Sequence, residues 1–499
     1  MIRRPPRSTR KESSAASDVY KRQILDRVGK YNLSTLEIIS YRQDKEESKP
    51  KTMDIKGITL TMSLTEDIFS NCLNGSIMVY DTQDVRSLFP LTGLERLSFS
   101  FNTPGLPGYD MTEENGQPFH IYKVDTIRKD TSNDIGQFYK LYFCSPEMYY
   151  NQMATVSRAY SGPIENAVQD IVRQKKYLNS KKPLYVESSA TNAKYVIPSL
   201  KPYSAINYLS AQTLSGKYSN AGYLFYENSR GFHFRSLGSL LALGGARARP
   251  TRWNYMTQIT NVSDSKKDEV KDIQKRLQTI IRYEIGKPVD AMSNIMDGMY
   301  ANKLVVHDAF NKTLITHNFN YKDNYEKEFH TETIGAEADI DKMITPVAKL
   351  NDTNNFLYEN ADSKKMVVTE TSKVHNDFEF TQSKDTLPKI VSQQAQYKNM
   401  NLTILAHGYT MLNAGDIINF TEPLRQPGEK KQDNPYTSGR YMIMAIKHTI
   451  SVETQSHTMV LKCFKDSVRT PYPSEEDGIQ VGIEDDINID IYKEDEKLA

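Results

Sequence analysis

Hydrophobic and polar residues alternate most regularly near the end of the chain, between Asn401 and Asp466. Short β-rich runs are separated there by Gly408, Gly415 and Gly439 and by a Pro/Gly-rich loop at 423–435. Strands punctuated by turn residues in this way are typical of a small antiparallel barrel or sandwich. The predicted order is a strand, a polar excursion, a second strand, a turn and a third strand.

An earlier stretch repeats this order with similar spacing. Gly93 lies 26 positions before Phe119, and Gly415 lies 26 positions before Tyr441. The next β-rich run follows after 20 positions in the first stretch, at Tyr139, and after 18 in the second. Repetition of order and spacing predicts two copies of one β-module. We expect Gly93 and Gly415 to lie at equivalent positions entering equivalent strands.

The block from Leu33 to Pro146 is predicted to be an antiparallel β-domain. Its strand-like runs are Leu36–Ile39, Ile58–Ser63, Phe119–Val124 and Phe138–Phe143. Asn74 and Gly75 both tolerate positive φ, so the pair predicts a tight hairpin turn.

The middle of the chain mixes helical and strand patterns. Helices are predicted at Pro163–Val172, with Ile164, Val168, Ile171 and Val172 on one face, and at Tyr203–Leu214. A hairpin is predicted from Gly222–Glu227 and Gly231–Arg235. Residues 265–300 have helical spacing, with Met292 and Met296 expected to face the interior. Beyond them we predict a strand pair, Lys303–His307 with Thr313–Phe319, that opens the second module, then a loop-rich insertion at 321–389 and a helix at Ile390–Met400.

Several ordered motifs resemble one known family. They are EDIFSNCLNGSIMVYD, FPLTGLERLSFSFNTPG, KPYSAINYLS, GYLFYENSRGFHFRSLGSL and the C-terminal β-block. Together, over roughly Ser34 to Asp466, they resemble the baseplate hub of contractile-tailed bacteriophages and the related hub module of type VI secretion spike proteins. The resemblance implies two β-modules that are tube domains, in a virion structural protein without chemistry of its own.

The expected fold class is α+β and β-dominated, with two similar antiparallel β-barrel tube domains and an inserted α/β domain. Connecting helices and a loop-rich insertion complete it. The expected domains are a first tube barrel at 33–146, an α/β domain at 147–255, a helical connector at 256–300, a second tube barrel at 301–320 and 390–466, the insertion at 321–389 and an acidic flexible tail at 467–499.

The first 23 residues differ in composition from the rest. They carry seven Lys and Arg against two acids, without the apolar core of a signal peptide. The string resembles translated sequencing-adapter sequence, and we expect it to be non-native; a basic DNA-binding arm is the alternative. Without it, 56 Lys and Arg face 60 Asp and Glu, a balance that does not favour a nucleic-acid binder.

Neither catalytic nor metal-binding motifs emerge from the sequence. HExxH, GxxxxGK[ST], GxSxG, CxxC and GxGxxG are all absent. The stretch 130–134 begins like a calcium loop, but Ile135 and Leu141 occupy the positions that need Gly and Glu. His448 and His457 flank a predicted hairpin turn and could face each other, although without a Cys or carboxylate partner. We therefore expect no catalytic, cofactor-binding or metal-ligating residues and no cofactor.

Three cysteines, Cys72, Cys144 and Cys463, lie scattered in strand-like runs and are expected to be buried and reduced. The sequence has no apolar run long enough to span a membrane. Both features fit a virion baseplate protein assembled in the bacterial host cytoplasm.

The resemblance implies a homotrimeric hub that adapts a threefold central spike to a sixfold tail tube and forms part of the tail channel. Expected partners are the spike, the tail tube protein, baseplate wedge components, and tape measure protein or DNA passing through the lumen. We expect strands Tyr441–Ile446 and Met459–Phe464 to offer open edges, because they carry little charge or proline. The alternative function is a spike-associated cell-wall hydrolase or an effector-bearing spike, with the catalytic part in 321–389.

Overall fold

The computed structural model describes a β-dominated chain in which strands far outnumber helices. The residues it describes are 27–43, 50–83, 85, 89–114, 118–129, 136–190, 192–218, 221–242, 253–257, 276–286, 290–308, 312–325, 327–332, 345–346, 356–370, 383–423 and 433–468.

The described strands are numbered in chain order. They are β1 Asn32–Gln43, β2 Pro50–Asp54, β3 Thr59–Asp67, β4 Asn74–Asp81, β5 Arg96–Asn102, β6 Tyr109–Met111, β7 Phe119–Lys129, β8 Gln137–Cys144, β9 Val156–Pro163, β10 Leu184–Val186, β11 Asn192–Leu200, β12 Tyr223–Asn228, β13 Gly231–Ser236, β14 Trp253–Met256, β15 Ile280–Gly286, β16 Ala301–Asp308, β17 Thr313–Asn320, β18 Thr345–Pro346, β19 Lys365–Glu370, β20 Met400–His407, β21 Ile417–Thr421, β22 Gly439–Ser451, β23 Ser456–Lys465 and β24 Ser467–Val468.

The described α-helices are short and lie between the strands. They are α1 Pro146–Met153, α2 Ile164–Arg173, α3 Pro202–Ser210, α4 Leu237–Leu241, α5 Ala291–Met296, α6 Tyr321–Tyr325, α7 Phe356–Glu359 and α8 Ser383–Gln396. Helix α2 buries Ile164, Val168, Ile171 and Val172, the face predicted from their spacing.

One 14-stranded sheet runs through most of the chain in the order β15-β20-β23-β22-β3-β4-β8-β7-β5-β1-β2. Off this path, β21 pairs with β22, β14 pairs with β21 and β6 pairs with β5. The sheet stays open, with β15 and β2 at its ends, and no closed barrel forms among the described strands. Smaller sheets are β10-β13-β12, β11-β9, β17-β16-β19 and β18-β24.

Separate apolar cores stabilise these layers. Aromatic residues such as Phe99, Phe119 and Phe143 fill the core on one face of strands β1–β8. Strands β9–β13 pack with α2 and α3 around a core of their own. A further core lies under β20–β23, around residues such as Ile404 and Leu461.

The predicted turn at Asn74 and Gly75 is wrong, because both residues lie within β4 and pair with β8. The turn between β3 and β4 comes earlier, at 68–73. Glycine is needed at position 75 for packing: a Cβ there would lie 2.3 Å from the Phe143 ring and 2.3 Å from the carbonyl oxygen of Ser63. Close approach of an aromatic ring, rather than a positive φ, explains this residue.

The helical prediction for 265–300 is only partly correct. Residues 280–286 form strand β15, which pairs with β20, while α5 lies within the predicted second run. Met292 and Met296 are 70% and 67% exposed instead of buried. A short apolar run that contains Ile280 and Ile281 fits both a helix and a strand. Pairing with β20 decided in favour of the strand.

The strand pair at 303–319 is present as β16 and β17, but it joins β19 in a separate sheet instead of opening the second module. Helix α3 ends at Ser210, four residues before the predicted end, and Leu214 forms an isolated bridge with Ala221. The helix predicted at 390–400 is α8, which lies earlier, at Ser383–Gln396.

The three cysteines are free and buried, as predicted. Over the part of the chain that the structure describes, no helix combines the length and apolarity that crossing a membrane demands. Predictions for 1–23, 130–134 and the tail beyond 468 lie outside the described residues.

Candidate functional site

Two sets of five strands in the main sheet follow the same order. We call β3-β4-β8-β7-β5 the first repeat and β15-β20-β23-β22-β21 the second repeat. Every lateral pairing inside both repeats is antiparallel. Beyond them the likeness ends, because β1 pairs with β5 antiparallel whereas β14 pairs with β21 in parallel.

The two repeats share two register shifts in their pairing, whereas a further shift, between Asp125 and Arg128 in β7, occurs only in the first repeat. The register shifts between Ile121 and Lys123 in β7, and between Ile443 and Ala445 in β22. A second shared shift lies between Thr59 and Thr61 in β3, and at the corresponding Ile280–Arg282 step of β15. A β-bulge locally disrupts the ladder and bends its strand, so coincidence at two places indicates one module used twice.

Glu95 and Asp416 mark the same position at the start of the equivalent strands β5 and β21. The Glu95 carbonyl oxygen accepts the Ile121 N–H at 3.0 Å, and the Asp416 carbonyl oxygen accepts the Ile443 N–H at 2.9 Å. Each carboxylate also accepts the N–H of the residue three positions earlier, at 2.9 Å and 3.2 Å.

The predicted equivalence of Gly93 and Gly415 holds at the level of strands. Both glycines have positive φ, +86° and +87°, immediately before equivalent strands. Their positions differ by one residue, because Gly93 lies two residues before Glu95 whereas Gly415 lies one residue before Asp416. Phe119 and Tyr441 are equivalent through their pairing with Leu97 and Ile418.

A seam between β22 and β3 joins the repeats into one sheet. Strand β22 pairs with β21 through residues 439–442, and after its bulge it pairs with β3 through residues 445–451. The seam runs from Ala445 opposite Asp67 to Ser451 opposite Thr61. Strands β22 and β23 therefore lie in the interior of the sheet, and the prediction that they offer open edges is wrong.

Glu66 stabilises the seam from the buried face of β3. Its residue is fully buried, and its Oε1 accepts hydrogen bonds from the Tyr109 hydroxyl at 2.7 Å and the Ser229 N–H at 2.8 Å. Its Oε2 accepts the Ala414 N–H at 2.9 Å. One carboxylate thus ties β6, the β12–β13 hairpin and the loop before β21 to β3.

Burial sets the electrostatics of this cluster. It raises the pKa of the Glu66 carboxyl from 4.5 to about 7, against the hydrogen bonds that favour the ionised form. Close by, the Arg230 guanidinium forms an ion pair with the Asp416 carboxylate at 2.9 Å. The Ser229–Glu66 hydrogen bond and the Arg230–Asp416 ion pair both link the hairpin formed by β12 and β13 to the repeats.

His448 and His457 face each other, as the sequence suggested. Nδ1 of His448 lies 3.0 Å from Nε2 of His457, and Nε2 of His448 lies 3.1 Å from the Tyr109 hydroxyl. Both rings are buried, which lowers the pKa of His448 well below its usual value and that of His457 to about 4. No group of three or more metal-ligating side chains occurs among the described residues.

A surface depression of about 520 Å³ lies near the start of the described chain. Arg27, Lys30 and Lys56 are among its lining residues. The Arg27 guanidinium donates to the carbonyl oxygen of Gln455, and the Lys56 ammonium donates to that of Ser34 and pairs with Asp54. Arg27 and Lys56 thus bond to the protein itself, and the depression has the character of an ordinary surface.

Sequence reasoning missed Glu66 and Tyr109 as seam residues. A signal for Glu66 was present: in β3 it follows Met62 and Leu64 at period two, on the buried face. An acid at an apolar position of an alternating strand predicts a buried carboxylate with its own donors. The partners of that carboxylate are distant in sequence, and only the fold brings them together.

Comparison with solved structures finds the following similarities. A tail protein from Neisseria meningitidis MC58 is 8% identical, with a TM-score of 0.46, over 88% of this chain and 97% of the other. The 43 kDa tail protein of prophage MuSo2 from Shewanella oneidensis is 6% identical, with a TM-score of 0.47, over 86% and 97%. The E. coli c3393 protein, a component of the type VI secretion system, is 8% identical, with a TM-score of 0.36, over 84% and 76%.

No protein-family model matches the sequence, and no curated protein matches it. The three solved structures are two tail proteins and a type VI secretion component. With TM-scores below 0.5 and identities of 10% or less, these similarities transfer no residue roles to this chain.

Proposed function

We propose that this chain is a structural tail component, a homotrimeric baseplate hub that adapts a threefold central spike to a sixfold tail tube and forms part of the tail channel. Its function is to present complementary interfaces and a continuous lumen, without catalysis. Its partners are the spike, the tube protein and wedge components of a virion baseplate assembled in the host cytoplasm.

The observation that carries this proposal is the registered duplication of the five-strand repeat within one sheet. A closed ring of three identical chains contains six copies of a unit that occurs twice in each chain. Such a ring has exact threefold symmetry and approximate sixfold symmetry. It would match a threefold partner at one end and a sixfold partner at the other.

The open face of the sheet suits a channel wall. In β3, Met62, Leu64 and Glu66 are buried, whereas the alternating residues Thr61, Ser63 and Thr65 face away from the core and are half-buried or exposed. The same face continues across the seam with polar residues such as Lys447 and Lys462. A lumen that passes DNA or protein without binding it specifically needs a polar wall of this kind.

The domain organisation we propose keeps the first tube domain at 33–146 and the α/β domain at 147–255. The second tube domain consists of β15 and β20–β23, because these strands form the second repeat. Strands β16, β17 and β19 belong to a separate inserted unit. Closure of each module into a barrel-like wall would occur between copies in the ring rather than within one chain.

Native mass spectrometry and electron microscopy of the full chain, alone and with its spike protein, test the proposal. We expect a trimer whose class averages show a ring with six similar density lobes around a channel. A chain that remains monomeric when concentrated, even with the spike, would overturn the ring. Release of soluble fragments from purified peptidoglycan would contradict the absence of catalysis.

A further inference from the structure

We propose that β15 of one copy pairs antiparallel with the second half of β7 of the next copy, in the register that β3 and β22 use within each chain. This inference rests on the proposed ring and names the surface that closes it. The occupant of each open edge is a second copy of this chain.

Two strand segments in the repeats lack a partner among the described residues. Strand β15 pairs with β20 on one side only. Strand β7 pairs with β8 along its length, but on its other side only Phe119 and His120 pair, with β5. The Ile121 N–H still bonds to the Glu95 carbonyl oxygen on that side, but residues 123–129 of β7 pair with no second strand in the described part of the chain. Unpaired strand edges invite addition of another strand.

The repeat identifies what each open segment pairs with. Strand β15 occupies the position in the second repeat that β3 occupies in the first, and β7 occupies the position that β22 occupies in the second. Within the chain, the second half of β22 pairs with β3. The equivalent contact would pair the second half of β7 with β15, and it does not form within the described chain. The two segments lie seven strands apart in the sheet and do not pair within the described chain, so we place this contact between copies.

The register of the new contact follows from the seam. Thr449 lies opposite Ser63 in the seam. In the first repeat the position of Thr449 is taken by Arg128, because Thr449 pairs with Thr458 and Arg128 with the equivalent Phe138. In the second repeat the position of Ser63 is taken by Glu284, which pairs with Thr403 as Ser63 pairs with Ser76.

Charge complementarity supports this register. Arg128 and Glu284 are both exposed, and the transferred register places them directly opposite each other on the open face of the sheet. A slip by two residues would bring Arg128 opposite either Arg282, a like charge, or Gly286. Opposite charges in a cross-strand pair are stabilising and like charges are destabilising, so the charges select one register.

A charge-reversal cycle on the full chain tests the pairing. Arg128→Glu and Glu284→Lys are each expected to weaken self-association about tenfold, because each places like charges opposite each other in the ring. The double variant restores the pair with reversed sign and is expected to recover most of the association. Glu453→Lys, the same change at an exposed turn residue outside both edges, serves as the matched control and should leave association unchanged.

Cysteine cross-linking provides an independent readout. One tagged copy carries Arg128→Cys and a differently tagged copy carries Glu284→Cys; mild oxidation of the mixture should give a heterodimeric species that reductant removes. Arg128→Cys mixed with Glu453→Cys is the control. The native cysteines are buried, which keeps background cross-linking low.

The outcomes separate this inference from the proposed function. A trimer that forms normally in both single reversals, without the heterodimeric cross-link, overturns the β7–β15 contact and leaves the ring itself standing. A chain that stays monomeric under all conditions overturns both. Cross-linking together with rescue by the double reversal establishes the contact.

Discussion

The Ala414 N–H donates to Oε2 of Glu66 at 2.9 Å, a contact between residues 348 positions apart in the chain. The same carboxylate receives the Tyr109 hydroxyl and the Ser229 N–H. A single buried acid therefore holds together both repeats and the hairpin between β12 and β13.

Glu66→Ala is expected to lower the free energy of unfolding by about 2–4 kcal/mol, because it removes the acceptor of the Ala414 and Ser229 N–H groups and opens a cavity. Glu66→Gln keeps one carbonyl acceptor and should cost less. Denaturant or thermal unfolding of both variants beside Glu453→Gln, an exposed control, measures the difference. Equal stability of Glu66→Ala and the control would contradict the assigned role.

The raised pKa of Glu66, about 7, makes its contribution to stability depend on pH. In the unfolded chain the carboxyl loses its proton at a lower pH than in the folded chain. Its contribution is therefore fully present below about pH 4.5 and is lost as the pH rises towards 7. We expect the unfolding midpoint of Glu66→Gln to rise relative to that of the unmodified chain as the pH increases from 4.5 to 7.5.

His457 opposes this trend, because burial lowers its pKa to about 4. The unfolded chain takes up a proton at that histidine near pH 6.5, so the stability it contributes is present above pH 6.5 and is lost as the pH falls towards 4. Glu66→Gln lacks the opposing effect of the carboxyl, and we expect its midpoint to fall more steeply on acidification. Parallel curves for the two proteins would contradict the raised pKa of Glu66.

Gly75→Ala should destabilise the chain by about 2–4 kcal/mol, because the new methyl group overlaps the Phe143 ring and the Ser63 carbonyl oxygen in a tightly packed sheet. Gly57→Ala is the matched control: a Cβ at that position meets no atom within 4 Å. Thermal unfolding should separate the two. Equal midpoints would mean that Gly75 tolerates a side chain, as a turn residue would.

Lys182 neutralises two buried carboxylates, with its Nζ 2.8 Å from Glu147 and 2.6 Å from Glu227. Glu227 also accepts the Leu73 N–H at 3.0 Å, which links the α/β unit to the first repeat. Lys182→Met should cost about 3–5 kcal/mol, because it leaves both acids buried and unpaired.

Adding Glu147→Gln and Glu227→Gln to Lys182→Met removes the uncompensated charge and should recover much of the lost stability. Calorimetry of the single and triple variants at neutral pH measures the recovery. If the triple variant is no more stable than Lys182→Met, packing of the lysine side chain, rather than charge neutralisation, accounts for the loss.

Sequence by itself determined the local patterns and their repetition. Alternation at period two predicted β3, β7, β8 and the C-terminal strands, and helical spacing predicted the buried face of α2. The shared spacing of 26 positions from Gly93 and Gly415 marked strands that are equivalent in the sheet. These features depend on short stretches of chain, where side-chain period and turn residues act within a few residues of each other.

Only the tertiary structure decided which strands are neighbours. Whether 280–286 forms a helix or a strand depended on pairing with β20, which lies more than a hundred residues later. The role of Gly75 depended on the Phe143 ring, and the role of Glu66 depended on donors from three distant segments. The seam likewise joins β3 to β22 across the length of the chain. Hydrogen bonds and packing between distant segments leave no periodic trace in the sequence, because each partner satisfies its local pattern without the other.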